Sequence, residues 1–246
     1  MKKLVFCICV VALAAMTGCK SESAVSPAKG EGYLSLSGEA SLEVVSRAAT
    51  EITVPEVSNF SLEIVGADYE KSWEQFSLFE SAENPLVAGE YTASIAWGDI
   101  SQEGVNKPAY GGSVDFVIEP QKVTNASIVA YLTNAQVFVR FTDNFLNYFH
   151  DESFTLKSAL GNEFSFNSTS EDTVFIAPGA FTINGSALKQ TGVSITFPEQ
   201  SNVAEARKLY TYTFDLATAG EAKVVISLDD TVIEEVVIET ELNPES

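Results

Sequence analysis

Apolar residues in this chain recur at every second position, in short runs separated by Gly, Pro, Asn and Asp. In YLSLSGEASLEVV, Tyr33, Ser35 and Ser37 fall on one face of an extended strand and Leu34 and Leu36 on the other. EYTASIAWG sets Tyr91, Ala93, Ile95 and Trp97 against Thr92, Ser94 and Ala96. SVDFVIEP and NASIVAYL follow in the same style. The second half continues with AQVFVRFTD, ESFTLKSAL, NEFSFNS, TVFIAPGAFTING, VSITFP, LYTYTFDL, AKVVISLDD and TVIEEVVIE. Period-two alternation in runs this short predicts antiparallel strands with one buried face. Only DNFLNYFHDE, Asp143 to Glu152, groups Phe145, Leu146 and Phe149 at helical spacing, and it is expected to form a helical turn or an irregular corner.

The two halves repeat one layout. PLVAGEYTASIAW from Pro85 aligns with FIAPGAFTINGSA from Phe175, placing Gly89 over Gly179 and Tyr91 over Phe181. VDFVIEPQKVTNASIVAYL then parallels VSITFPEQSNVAEARKLYTYTF as strand, turn containing Pro and Gln, and strand. The expected fold is all-β: two tandem antiparallel β-sandwiches of immunoglobulin-like or transthyretin-like type, over residues 33–132 and 133–246, each within the usual size for such folds. The join falls near LTNA, Leu132 to Ala135, too short to leave the domains loosely tethered.

The first 32 residues break the pattern. Lys2 and Lys3 precede an apolar run from Leu4 to Met16, shorter than the roughly 20 residues a spanning helix needs. Such a segment reads as a secretory signal peptide, residues 1–18. Met16-Thr17-Gly18-Cys19 presents small residues before a cysteine, so Cys19 is the expected lipid acceptor. Residues 19–32 are polar and small, a flexible tether between lipid and folded body. Cys7 and Cys9 leave with the signal, so the mature chain offers no disulfide and no thiol nucleophile.

The net charge of −20 becomes more negative once Lys2 and Lys3 are removed. With no basic patch, the chain lacks what nucleic-acid binding needs to displace counterions from phosphate. The acidity reads as a solvated, self-repelling surface, and the lipid supplies the membrane contact. Directly after Cys19 only Glu22 is acidic, beside Lys20 and Ser21, which is thin support for outward display.

Candidate chemistry is sparse. His150 is the only histidine, and Asp151 beside it in sequence is no evidence of a triad, which is defined by spatial geometry. Among 34 acidic residues, paired carboxylates arise in any fold and carry no signal. No EF-hand spacing, phosphate-cradling loop or nucleophile elbow occurs, so neither catalytic residues, metal ligands nor a cofactor are expected. Trp97 shares the apolar face of its strand and is expected in the core. Trp73, in YEKSWEQFSLF, has charged neighbours and is the candidate sugar-stacking aromatic. Asp172-Thr173-Val174 and Asp230-Thr231-Val232 resemble a three-residue O-glycosylation acceptor, which makes Thr173 and Thr231 candidate sites.

The lipobox, the opening GEGYLSLS, the SRA at Ser46 to Ala48, GEYT, KVTNASIVAYLTNAQVFVRF and the closing AKVVISLDDTVIEEVVIE together resemble a two-domain lipoprotein family of unknown function from gut-type Gram-negative anaerobes. The layout is similar to that of fimbrillin-type pilins and anchoring subunits. That resemblance implies an outer-membrane, lipid-anchored, non-enzymatic protein whose partners are other surface proteins or glycans. In the pilins, cleavage after an arginine that ends the first strand opens a groove for a neighbour's strand. Arg47 stands at the corresponding place, although an arginine there also suits an exposed strand end. The closing ETELNPES departs from the pilin pattern, being polar and proline-containing and unfit as a hydrophobic donor strand. Two roles stay open: adhesion or structure in a fimbria-like assembly, and glycan binding as an accessory to polysaccharide uptake.

Overall fold

The computed structural model describes residues 30–41, 53–218, 221–228 and 231–239, with side chains described through residue 216. Cys19, the tether up to residue 29 and Arg47 lie outside the described residues. Eight strands belong to the first half: β1 (Glu31–Ser41), β2 (Ser61–Gly66), β3 (Tyr69–Trp73), β4 (Leu86–Val87), β5 (Gly89–Trp97), β6 (Gly104–Val105), β7 (Tyr110–Ile118) and β8 (Val123–Leu132). The second half holds β9 (Ala135–Phe141), helix α1 (Asp143–Tyr148), β10 (Phe149–Lys157), β11 (Glu163–Phe166), β12 (Val174–Ile176), β13 (Gly179–Lys189), β14 (Ser194–Ala204), β15 (Leu209–Thr218), β16 (Glu221–Leu228) and β17 (Thr231–Glu239). Among the described residues no helix is long and apolar enough to cross a membrane.

Each half is a two-layer sandwich, and the halves share one strand order. In the first, β3-β2-β5-β7 forms one layer and β8-β1-β4 the other. The layers join where Tyr110 pairs with Leu132 and Gly111 with Tyr131. Gly112 lets them approach there, since a Cβ would stand 2.2 Å from the Val129 carbonyl oxygen. In the second half the corresponding layers are β11-β10-β13-β14 and β15-β9-β12, with the β16–β17 hairpin added outside β15. The aligned glycines Gly89 and Gly179 each open the central strand of their unit, and Tyr91 and Phe181 both point into a core.

Two pairings depart from the antiparallel expectation. β1 runs parallel to β8 from Tyr33↔Val123 to Ser41↔Tyr131, and β9 runs parallel to β15. Alternation reports which face a side chain occupies and is blind to the direction of the neighbouring strand. A second departure concerns Pro198-Glu199-Gln200, read as a turn by analogy with the first half. These residues lie inside β14, at a register shift opposite Ile183 to Gly185, and the turn comes after Ala204. β14 is an edge strand of its layer, where a proline removes no ladder hydrogen bond.

The cores follow from the alternation. Leu34, Leu62, Ile64, Ala93, Ile95, Ile128 and Ala130 fill the first from both layers. The second is built on phenylalanine, with Phe154 and Phe214 ring centroids 4.0 Å apart and Phe145 and Phe149 at 4.7 Å. The DNFLNYFHDE corner serves this core. Thr142 caps α1 by accepting from the Phe145 backbone N–H at 3.2 Å, and Phe145 is wholly buried. Each such aromatic contributes about 1.5–3 kcal/mol of burial free energy.

Candidate functional site

The segment between β5 and β7, Gly98 to Ala109, leaves the first sandwich and fastens it to the second. Its β6 extends the second unit's sheet, pairing Val105 with Val174 and Gly104 with Phe175. Phe175 in return packs into the first core at 2% exposure. Beside β6, the Glu103 carboxylate accepts three hydrogen bonds from the second unit: the Ala177 backbone N–H at 2.7 Å, Asn162 Nδ2 at 2.8 Å and the Ser158 hydroxyl. The junction itself is held on both sides. Asn134 Oδ1 accepts from the Ala109 N–H, the Ala109 carbonyl accepts from Thr133 N at 2.8 Å, and Arg207 N donates to the Asn134 carbonyl at 2.8 Å. The Arg207 guanidinium lies 4.0 Å from the Tyr131 ring centroid. None of this clasp was marked by periodicity, because β6 is two residues long and Glu103 sits in a turn-rich run. The run of small and turn-forming residues that interrupts the alternation after Trp97 was the available signal.

The recesses on the surface of the described residues include three that bear on function. One of about 700 Å³ lies at an end of the first sandwich, between the β2–β3 turn, β5 and β7. It is a shallow stretch of the outward sheet face lined by Glu90, Thr92, Asp115 and two exposed valines, Val65 and Val117, while the Tyr91 and Phe116 rings, stacked at 5.8 Å, lie on the opposite, core face. Gly66 is required here, since a Cβ would come within 2.5 Å of the Tyr91 ring. The Tyr91 hydroxyl donates to the Val87 carbonyl at 2.9 Å, and burial raises its pKa above the usual tyrosine value.

A second recess, about 210 Å³, is lined by Trp97, Asp99, Gln102, Asn106 and Lys107 on the clasp segment. Asp99 accepts from the Ser101 hydroxyl at 2.6 Å and the Ser101 N–H at 2.9 Å, and these bonds hold its pKa below the usual carboxylate value. A third, about 410 Å³, contains His150, Asp151 and Glu152. His150 Nδ1 lies 3.2 Å from Asp151 Oδ2, while Glu152 accepts from the Ser168 N–H at 2.6 Å. His150 thus sits on the corner after NYF, at the start of β10, where Asp151 takes a left-handed φ of 51°.

The remaining nominated residues fall in several places. Trp73 is half-buried against the first core, with Phe79 edge-on at 5.2 Å and the Lys71 ammonium 5.0 Å from the ring centroid. Its indole is already occupied by its own neighbours, unlike an open stacking platform. Trp97, also packed on that core, is the tryptophan that lines a polar recess. Thr173 is 4% exposed, so its hydroxyl is closed to a modifying enzyme once the chain has folded. Thr231 begins β17, and its side chain lies outside the described residues.

The model of the family defined by a domain of unknown function, DUF4493, matches residues 30–244. The chain belongs to this family. No curated protein matches the chain. Among solved structures, it is similar to a candidate cell adhesion protein from Bacteroides uniformis at 11% identity, covering 83% of this chain and 99% of that one, with a TM-score of 0.42. A candidate cell adhesion protein from Bacteroides eggerthii shares 8% identity over 88% of this chain and 99% of its own, TM-score 0.44. The fimbrial anchor protein Mfa2 from Porphyromonas gingivalis shares 9% identity over 84% of this chain and 100% of its own, TM-score 0.43.

Proposed function

We propose that this DUF4493 chain is a surface lipoprotein, acylated at Cys19 and held at the outer membrane, with a non-catalytic adhesive or structural role in a fimbria-like assembly. The observation that carries this reading is the place of β1. It is the first described strand after the tether, it lies between β8 and β4, and its Leu34 is wholly buried in the first core. A strand so placed, followed by a cleavable Arg47, is a removable part of the core. Its departure opens a groove suited to an incoming extended segment. The clasp supports the same reading, since two sandwiches pinned by Glu103 and Phe175 form a stiff body for transmitting load from the membrane.

The second reading, a glycan-binding accessory lipoprotein, draws on the recess that Trp97 shares with Asp99, Gln102, Asn106 and Lys107, a set of hydrogen-bonding groups beside an indole. A glycan array on the mature chain without its lipid separates the two. Silence is the result expected for the assembly role, and clear binding that is lost in Trp97→Ala would overturn it in favour of the glycan role. Incorporation of labelled palmitate, lost in Cys19→Ala, is the expected result for the anchor.

A further inference from the structure

The two edges of β1 are held by different means. One edge pairs with β8 from Tyr33 to Ser41. On the other, β4 reaches only Glu31 and Gly32, and no strand continues it among the described residues. Alternation turns Leu34, Leu36 and Ala40 to the core, and Gly38 shares their face. At Gly38 that face meets two loop side chains: a Cβ there would stand 3.0 Å from Val57 Cγ2 and 3.4 Å from the Phe76 ring. Glycine at this position is the seat on which both rest. Val57 opens the 3-10 turn Val57–Asn59, and Phe76 the turn Phe76–Leu78. The turns support each other, since the Phe76 N–H donates to the Phe60 carbonyl at 2.6 Å.

Phe76 belongs to residues 74–85, which join β3 to β4 without a strand of their own. This segment is folded on itself. The Phe79 N–H donates to the Phe76 carbonyl at 3.1 Å, the Asn84 N–H to the Ser81 carbonyl at 3.2 Å, and Asn84 Nδ2 to the Glu80 carbonyl at 2.7 Å. It is fastened to β3, in the opposite layer from β1, where Lys71 Nζ donates to Asn84 Oδ1 and Phe79 meets Trp73 edge-on. A segment bonded mainly within itself opens as one unit, at lower cost than the ladders beneath it. We propose that residues 74–85 are a strap that locks β1 into the first sandwich: β1 leaves, or gives its place to another extended segment, only after the strap has lifted Phe76 off Gly38. The strap presupposes the exchangeable β1 proposed above. Its test uses the uncut chain, so its failure would leave the outcome of cleavage after Arg47 untouched.

The experiment is amide hydrogen exchange of uncut residues 20–246. In the parent, the amides of residues 76–79 should exchange fastest, those of β1 next, and those of β5 and β7 slowest. Lys71→Met keeps the alkyl stem on β3 and removes the tie to Asn84. It should speed exchange in the strap roughly fivefold, the effect of about one lost hydrogen bond. β1 should quicken by the same factor, because it opens only through the lifted strap. Phe79→Ala, which removes the contact with Trp73, should speed both on the order of tenfold. Leu78→Ala trims an exposed side chain and should leave both within about twofold. β1 exchanging as slowly as β5 and β7 would overturn the proposal, because it would then open only with the whole unit. So would β1 exchange unchanged in Lys71→Met and Phe79→Ala, whether or not the strap itself has accelerated.

Discussion

Glu103→Ala tests the clasp most sharply, because one carboxylate answers three donors of the other unit. The substitution strands the Ala177 N–H and the Ser158 hydroxyl, both on residues less than a tenth exposed, while Asn162 is exposed and regains water. A buried donor left without a partner costs about 1–3 kcal/mol, so two of them, partly relaxed, set the expected loss at about 2–4 kcal/mol. For a chain of this size each kcal/mol moves the midpoint by roughly 2–4 °C, which places the shift on the order of 4–16 °C. The assay is scanning calorimetry of residues 20–246, with small-angle scattering on the same samples. The parent should melt as one transition, since the clasp couples the two cores. Glu103→Ala should broaden or split it and increase the radius of gyration. Glu103→Gln keeps one acceptor for Ala177 and should fall between the two. A Glu103→Ala protein melting within about 1 °C of the parent, in one transition, would refute the reasoning, because buried donors stranded without an acceptor must cost stability.

Further outcomes follow from the two cores. Leu34→Ala should cost about 2–5 kcal/mol in chemical denaturation, and Phe154→Ala about 3–5, as cavity-forming truncations do. Hydrogen exchange should locate the first loss on β1, β2, β5 and β8 and the second on β10, β13 and β15, and reversed locations would contradict the core assignments. Tyr69, Tyr91 and Tyr110 all have pKa values raised above 10.0 by burial, so the unfolded chain releases these protons first. Their contribution to stability should be constant below that value and fall as pH rises through the folded values. Denaturation series on either side of the phenolate titration check this, and stability rising with alkaline pH would contradict it.

The legible parts of the fold were those that side-chain alternation encodes. Leu34, Tyr91, Ala93, Ile95 and Phe181 lie in the cores because period two fixes the face of each, and the match of Gly89 to Gly179 marks the same strand start in both units. What alternation omits is the neighbour. The parallel β1–β8 and β9–β15 pairings leave no trace in the pattern, since a strand's apolar face looks the same beside either kind of partner. The turn expected at Pro198 failed for a related reason: a proline is tolerable in a strand at an edge or a bulge, and both are properties of the assembled sheet. The site was harder to see. Glu103 meets Ser158 and Ala177 across 55 and 74 residues of chain. Among 34 acids nothing local sets Glu103 apart. For the tryptophans, charged neighbours suggested an open Trp73, but those neighbours include the Lys71 that lies over its ring.

The proposed assembly role requires β1 to be both part of the first core and separable from it. Limited tryptic cleavage after Arg47, confirmed by mass, followed by thermal unfolding of the cut and uncut chains, tests this directly. Cutting makes β1 a separate strand held by its sheet partners and by the packing of Leu34, Leu36 and Ala40, so its effective concentration drops and stability should become dependent on protein concentration. The cut protein should melt lower, the shift should grow on dilution, and an added peptide of the sequence EGYLSLSGEAS should restore it. A cut chain that remains a monomer with the stability of the intact one at every dilution would contradict the account.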